Sequence, residues 1–148
     1  MNAFINKNQG TIFLRGIVVW LVFIIAESLN GTVRNLLLVP SLGDFWGHQI
    51  SFFTGSIVVV AIALVFVQWL HASRVSQLLG VGLLWLLLTI AFEICLGRFI
   101  LGYSWERIAA DYNLLQGGLM PIGLLLLTLA PLIAAKMRGV LTNTNQNA

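Results

Sequence analysis

Residues 16–39 read GIVVWLVFIIAESLNGTVRNLLLV: twenty-four positions with one acid, Glu27, one base, Arg34, and almost nothing else that water would hold. A helix needs about 20 mainly apolar residues to cross the hydrocarbon core of a bilayer. Three further stretches have the same character, at about 49–70, 78–101 and 114–135. The pattern predicts an all-α integral membrane four-helix bundle forming one domain over 1–140. A polar tail at 141–148 is expected to be disordered.

Composition agrees. The 148 residues are 59% hydrophobic and 9% charged, against about a quarter charged in soluble domains, so the charges are too few to cover a water-facing surface. Lys7 and Arg15 before an apolar run resemble a signal peptide, but the run leads into Ala26-Glu27-Ser28 without a small-x-small cleavage pattern. An uncleaved first helix is expected.

Charge sets the orientation. Lys7, Arg15, Arg74, Lys136 and Arg138 fall on one side with no acid. Glu27, Asp44, Glu93, Glu106 and Asp111 fall on the other, with Arg34, Arg98 and Arg107. The sides therefore carry +5 and −2, which together make the net +3. Basic loops stay in the cytoplasm, so both termini are expected there. The overall basic balance then reflects topology, and no nucleic-acid partner is implied.

The acids mark the candidate site. At 1.5 Å per residue, Glu27 lies about 18 Å beyond Arg15, and Glu93 about 22 Å beyond Leu78. Both carboxyls are then expected in the outer leaflet, where an ionisable group is expensive and a functional candidate. Glu27 and Glu93 are the candidate proton acceptors or donors of a catalytic step. Arg34 and Arg98 are candidate ligands for an anionic headgroup. Asp44, Gln49, Glu106, Arg107, Asp111 and Asn113 are further candidate ligand-binding residues at the same level. Arg34 shares a helix face with Glu27, whereas Arg98 is better placed to meet a carboxylate from another element. Ser104 is a candidate N-cap for a short interfacial helix carrying Arg107 and Asp111.

Other chemistry finds little support. Cys95 is the single cysteine, which rules out an internal disulfide or a paired-thiol redox site. Asp44 and His48 are too few to ligate a metal, and no cofactor is implied. Both halves carry a Glu, then a Gly four residues later, then an Arg: Glu27-Gly31-Arg34 and Glu93-Gly97-Arg98. That suggests two parallel two-helix repeats about an axis along the membrane normal, with shared membrane grammar as the alternative.

The string Phe92-Glu93, Gly97-Arg98, Gly102, Ser104-Trp105-Glu106-Arg107, Asp111-Tyr112-Asn113 resembles that of small bacterial membrane proteins with no assigned activity. The resemblance implies the bacterial inner (cytoplasmic) membrane. A Glu in the first of four helices is also found in small multidrug transporters. Here it lies toward the outer end, and a second Glu stands in the third helix.

Three functions remain open. The first is binding or processing of a lipid or other amphiphile at the outer Glu/Arg cluster. The second is a structural or accessory subunit of a membrane complex, with a homodimer or membrane-protein partner. The third is a proton-coupled small-molecule transporter using Glu27 and Glu93.

Overall fold

The computed structural model describes residues 2–141, with side chains from Gln9 onward. It is all-helical, without strands among the described residues. Helix α1 spans Asn2–Val33, α2 Val39–Leu70, α3 Val75–Cys95, α4 Trp105–Asp111 and α5 Met120–Met137. Three helical stretches are long and apolar enough to cross a membrane: Gln9–Leu70, Val75–Ile100 and Met120–Met137.

The first stretch is a hairpin. Its 62 residues would span about 93 Å if straight, yet Arg15 Nη1 donates to Trp69 O at 3.1 Å. Asn30 likewise reaches Ser51 O at 3.0 Å. These antiparallel pairs are nested about residue 42, and Gly43 is where the backbone leaves the helix, at φ 84°, ψ 166°. Glycine alone adopts that region readily. The stretch left between the first two expected spans, residues 40–48, is therefore helical apart from the reversal: Pro40 opens α2 and one residue turns the chain. Gly47 lets Val39 pack against the returning backbone. A side chain at Gly43 would meet nothing within 4 Å. Gly43→Ala should therefore cost stability through backbone strain alone, about 1–3 kcal/mol, read as a lower thermal midpoint in detergent.

The arms form a closed ring. α1 packs on α2 and α3, and α5 packs on α2 and α3. Trp85 Nε1 donates to Gly16 O at 2.8 Å and Trp20 Nε1 to Thr89 Oγ1 at 3.1 Å, both at a separation of 69 residues. A constant offset means that α1 and α3 run parallel and in register. This ring corrects the expected repeat. A twofold axis along the helices would carry α1 and α2 to the diagonal positions, but their counterparts α3 and α5 are their direct neighbours. The two hairpins lie side by side.

The core is lopsided. Val19, Val67, Leu70, Leu78, Val81 and Trp85 are fully buried toward the end that holds Arg15, Arg74 and Lys136. Phe23 meets the Trp85 ring edge-on at 4.7 Å. Gly82 seats α3 directly on the Thr128 carbonyl of α5. Of the tail expected at 141–148, Leu141 packs against this core and the rest lies outside the described residues.

Two further boundaries differ from expectation. Both α1 and α3 end in π-helical turns, Arg34–Leu38 and Leu96–Ile100. The fourth span begins later than residue 114. A 3-10 turn at Leu114–Gln116 ends at left-handed Gly117, φ 85°, and α5 then starts with Pro121 in its first turn. The missing proline N–H costs nothing there.

Candidate functional site

The end opposite the packed core is held open by polar groups. On α1, Glu27 turns toward α2, where Gly55 leaves room for it: a Cβ at Gly55 would stand 2.7 Å from Glu27 Oε2. Asn30 lies one turn further along. Its Nδ2 donates to Glu27 Oε2 at 3.2 Å and to Ser51 O at 3.0 Å, tying α1 to α2. The other oxygen, Glu27 Oε1, is buried without a partner. A buried polar atom without a hydrogen bond is rare and costs free energy, which marks the position as incomplete.

α3 brings the second carboxyl to the same region. By the register above, residue 93 is level with residue 24, three residues (about 4.5 Å) short of Glu27. Glu93 lies within electrostatic reach of Glu27, and Arg34 acts on both. Arg34 stays close to α1, its Nη2 lying 3.9 Å from where a Cβ on Gly31 would be.

Beyond Glu93 the chain closes over a cleft. It is lined by Glu93, Asp111 and Tyr112 on its polar side and by Leu96, Leu101, Ile108 and Met120 on its apolar side, with Tyr103 beside them. Its volume is about 60 Å³. α4 forms the outer wall. Ser104 caps α4 as expected, its Oγ accepting from Arg107 N at 3.2 Å. Ile108 sits on Gly97 at the π-helical turn. Glu93 and Asp111 are exposed at the mouth. Tyr112 Oη, in contrast, is buried without a partner.

Tyr112 is the residue that sequence reasoning did not single out as a ligand group. Its aromatic character suggests only an interfacial anchor. The short sequence distance to Asp111 is the one available signal. Burial raises its phenol pKa above the usual value, and the charges of Glu93 and Asp111 push it the same way. Folding therefore favours the neutral phenol. That stability is complete below the ordinary tyrosine pKa of about 10 and is lost as pH rises through the raised one. A thermal-midpoint scan above pH 10 should show a loss in the native chain that Tyr112→Phe diminishes.

The arginines fall differently from expectation. Arg98 was expected to meet a carboxylate of another element. Instead its Nη1 donates to Tyr103 O at 3.1 Å, and its guanidinium lies over Trp105, 5.5 Å from the ring centroid. The π-helical turn aims Arg98 along the rim. Arg107 lies over the Tyr103 ring at 5.9 Å. Both guanidiniums thus flank one wall of the cleft.

The remaining candidates divide. Asn113 caps the 3-10 turn through Leu115 N at 3.1 Å. Glu106 is exposed in the first turn of α4. Asp44 is exposed just past the hairpin reversal and Gln49 is half-buried on α2, away from the cleft lining. His48 Nδ1 contacts the Asp44 carbonyl at 3.0 Å. No group of three metal-ligating residues occurs among those described.

No protein-family model matches this chain, and no characterised protein or solved structure does either.

Proposed function

We propose that this chain is a four-span bundle of the bacterial inner membrane, with cytoplasmic termini, that binds or processes a lipid or other amphiphile at the outer-leaflet ends of its helices. The membrane setting is supported by how the apolar side chains face. Leu14, Val18, Leu21, Ile25, Leu29, Val33 and Leu36 form one exposed stripe along the first arm. Phe53, Ile57 and Val65 continue the pattern on α2, and Leu83 and Leu87 on α3. Lipid is the solvent that tolerates such stripes.

One observation carries the ligand reading: the cleft between α3, α4 and the start of α5 pairs carboxyls and a buried, unpartnered hydroxyl with an apolar wall. Pure structural glue would use up its hydrogen-bonding capacity. The Asn30 bridge from Glu27 to Ser51 is such glue and supports an accessory-subunit role as the second reading. Transport has less support, because Trp85, Leu78 and Val19 fill the half through which a substrate would pass.

Native mass spectrometry of the full chain, released from mild detergent, tests the proposal. A single retained amphiphile is expected, and Arg98→Ala should lower its retention by about tenfold, a change of about 1.4 kcal/mol. A bare protein mass that no added lipid changes would reject the reading. A stoichiometric membrane-protein partner in its place would support the accessory subunit.

A further inference from the structure

We infer that the cleft selects a zwitterionic headgroup whose positive end is a primary ammonium and whose negative end is a phosphate, as in an aminoethyl phosphodiester lipid. This rests on the amphiphile-binding reading above and names the substrate class of the same site.

The charges are sorted in space. Glu93 and Asp111 stand at the mouth, with Tyr112 Oη behind them as a further acceptor. An ammonium donates three hydrogen bonds and accepts none, and these are three acceptor groups. The cations lie to one side. Arg98 and Arg107 are both held on Tyr103, one by a hydrogen bond to its carbonyl and one over its ring. Tyr103 is itself part of the cleft wall. A ligand with its positive end among the carboxyls would bring a nearby negative end to these guanidiniums, which favour phosphate oxygens.

Hydrogen-bonding capacity narrows the positive end. Glu93, Asp111 and Tyr112 Oη can each accept from a donor in the cleft, whose volume is about 60 Å³. A primary ammonium can donate to all three, whereas a trimethylated one has no N–H to donate. The apolar wall of Leu96, Leu101, Ile108 and Met120 then continues toward the acyl region.

Competition between lipids with identical acyl chains tests this. Phosphatidylethanolamine, phosphatidylcholine and phosphatidylglycerol are added in equal amounts to the full chain in a neutral detergent. Retained lipid is counted by native mass spectrometry. The ethanolamine lipid should be held at least fivefold over the choline lipid, with the glycerol lipid no better than the choline one. Glu93→Gln combined with Asp111→Asn should bring ethanolamine down to the choline level while phospholipid is still retained. Arg98→Ala with Arg107→Ala should lower both alike. Equal retention of the ethanolamine and choline lipids by the native chain, a preference for the glycerol lipid, or a preference that survives in the double carboxamide variant would each overturn the inference. Those outcomes leave amphiphile binding standing. Retention of none of the three, with no other amphiphile bound, would remove the proposed function as well.

Discussion

Gly82→Ala should lower the thermal midpoint by roughly 6–12 °C, the shift that an overpacking cost of about 3 kcal/mol gives a chain of this size. The reason is the neighbour. A methyl group on residue 82 would run into the Thr128 carbonyl, with the Thr128 carbonyl carbon and Cα close behind. All three are backbone atoms of α5 and cannot rotate aside, so the two helices must separate. Trp85, one turn along α3, would lose its fit against Gly16 and Phe23. Gly123→Ala is the control. Its methyl would meet the Phe52 ring at 3.6 Å, an ordinary contact, and alanine is the better helix former. That variant should match or exceed the native midpoint. Equal effects at the two sites would show that α3 and α5 do not approach so closely.

Gly55→Ala should cost about 1–3 kcal/mol, and the cost should largely vanish when Glu27 is also replaced by alanine. The methyl would stand 2.7 Å from Glu27 Oε2 and 2.8 Å from Asn30 Nδ2. Glu27 would be forced out of its niche and the bridge to Ser51 would break. Without the carboxylate, the niche is empty and the methyl fills it, while the Asn30 amide can pivot. The double-mutant cycle therefore isolates the contact between α1 and α2. Reversible unfolding of the single and double variants in one detergent measures it. Additive losses, within about 0.5 kcal/mol, would mean that Glu27 does not occupy this niche.

The two glycines have different uses. Gly82 lets backbones meet in the half of the molecule that is packed solid. Gly55 makes room for a carboxyl group in the half that is open. Along the helices, packing thus gives way to polar groups that are held but not fully satisfied, at Glu27 Oε1 and Tyr112 Oη. A ligand binding there would meet acceptors already in place, and less ordering would be needed when it arrives.

Much of this was legible in the residues themselves. Runs of about 20 apolar positions dictate long helices, because nothing else satisfies backbone polar groups away from water. The absence of any acid near Lys7, Arg15, Arg74, Lys136 and Arg138 already placed the acids at one end. The spacing of Glu27, Gly31 and Arg34 placed those groups on one face, as the structure has them. Ser104 declared itself a cap by its side-chain oxygen ahead of an amphipathic turn.

Tertiary structure alone decided the rest. One positive-φ residue, Gly43, joined the first two spans into a helical hairpin, and no local pattern distinguishes it from the other glycines of the chain. The side-by-side order of the hairpins follows from how Trp85 reaches across to α1 and Trp20 to α3, so the similarity between the halves did not fix their symmetry. The direction of Arg98 depends on a π-helical turn, whose extra residue shifts every side chain after it. Tyr112 became a buried hydroxyl beside two carboxyls only because α4 folds back over Gly97. Periodicity and charge act along a single element and can be read there. The cleft is made by contacts between elements, and those depend on which small residues allow which backbones to meet.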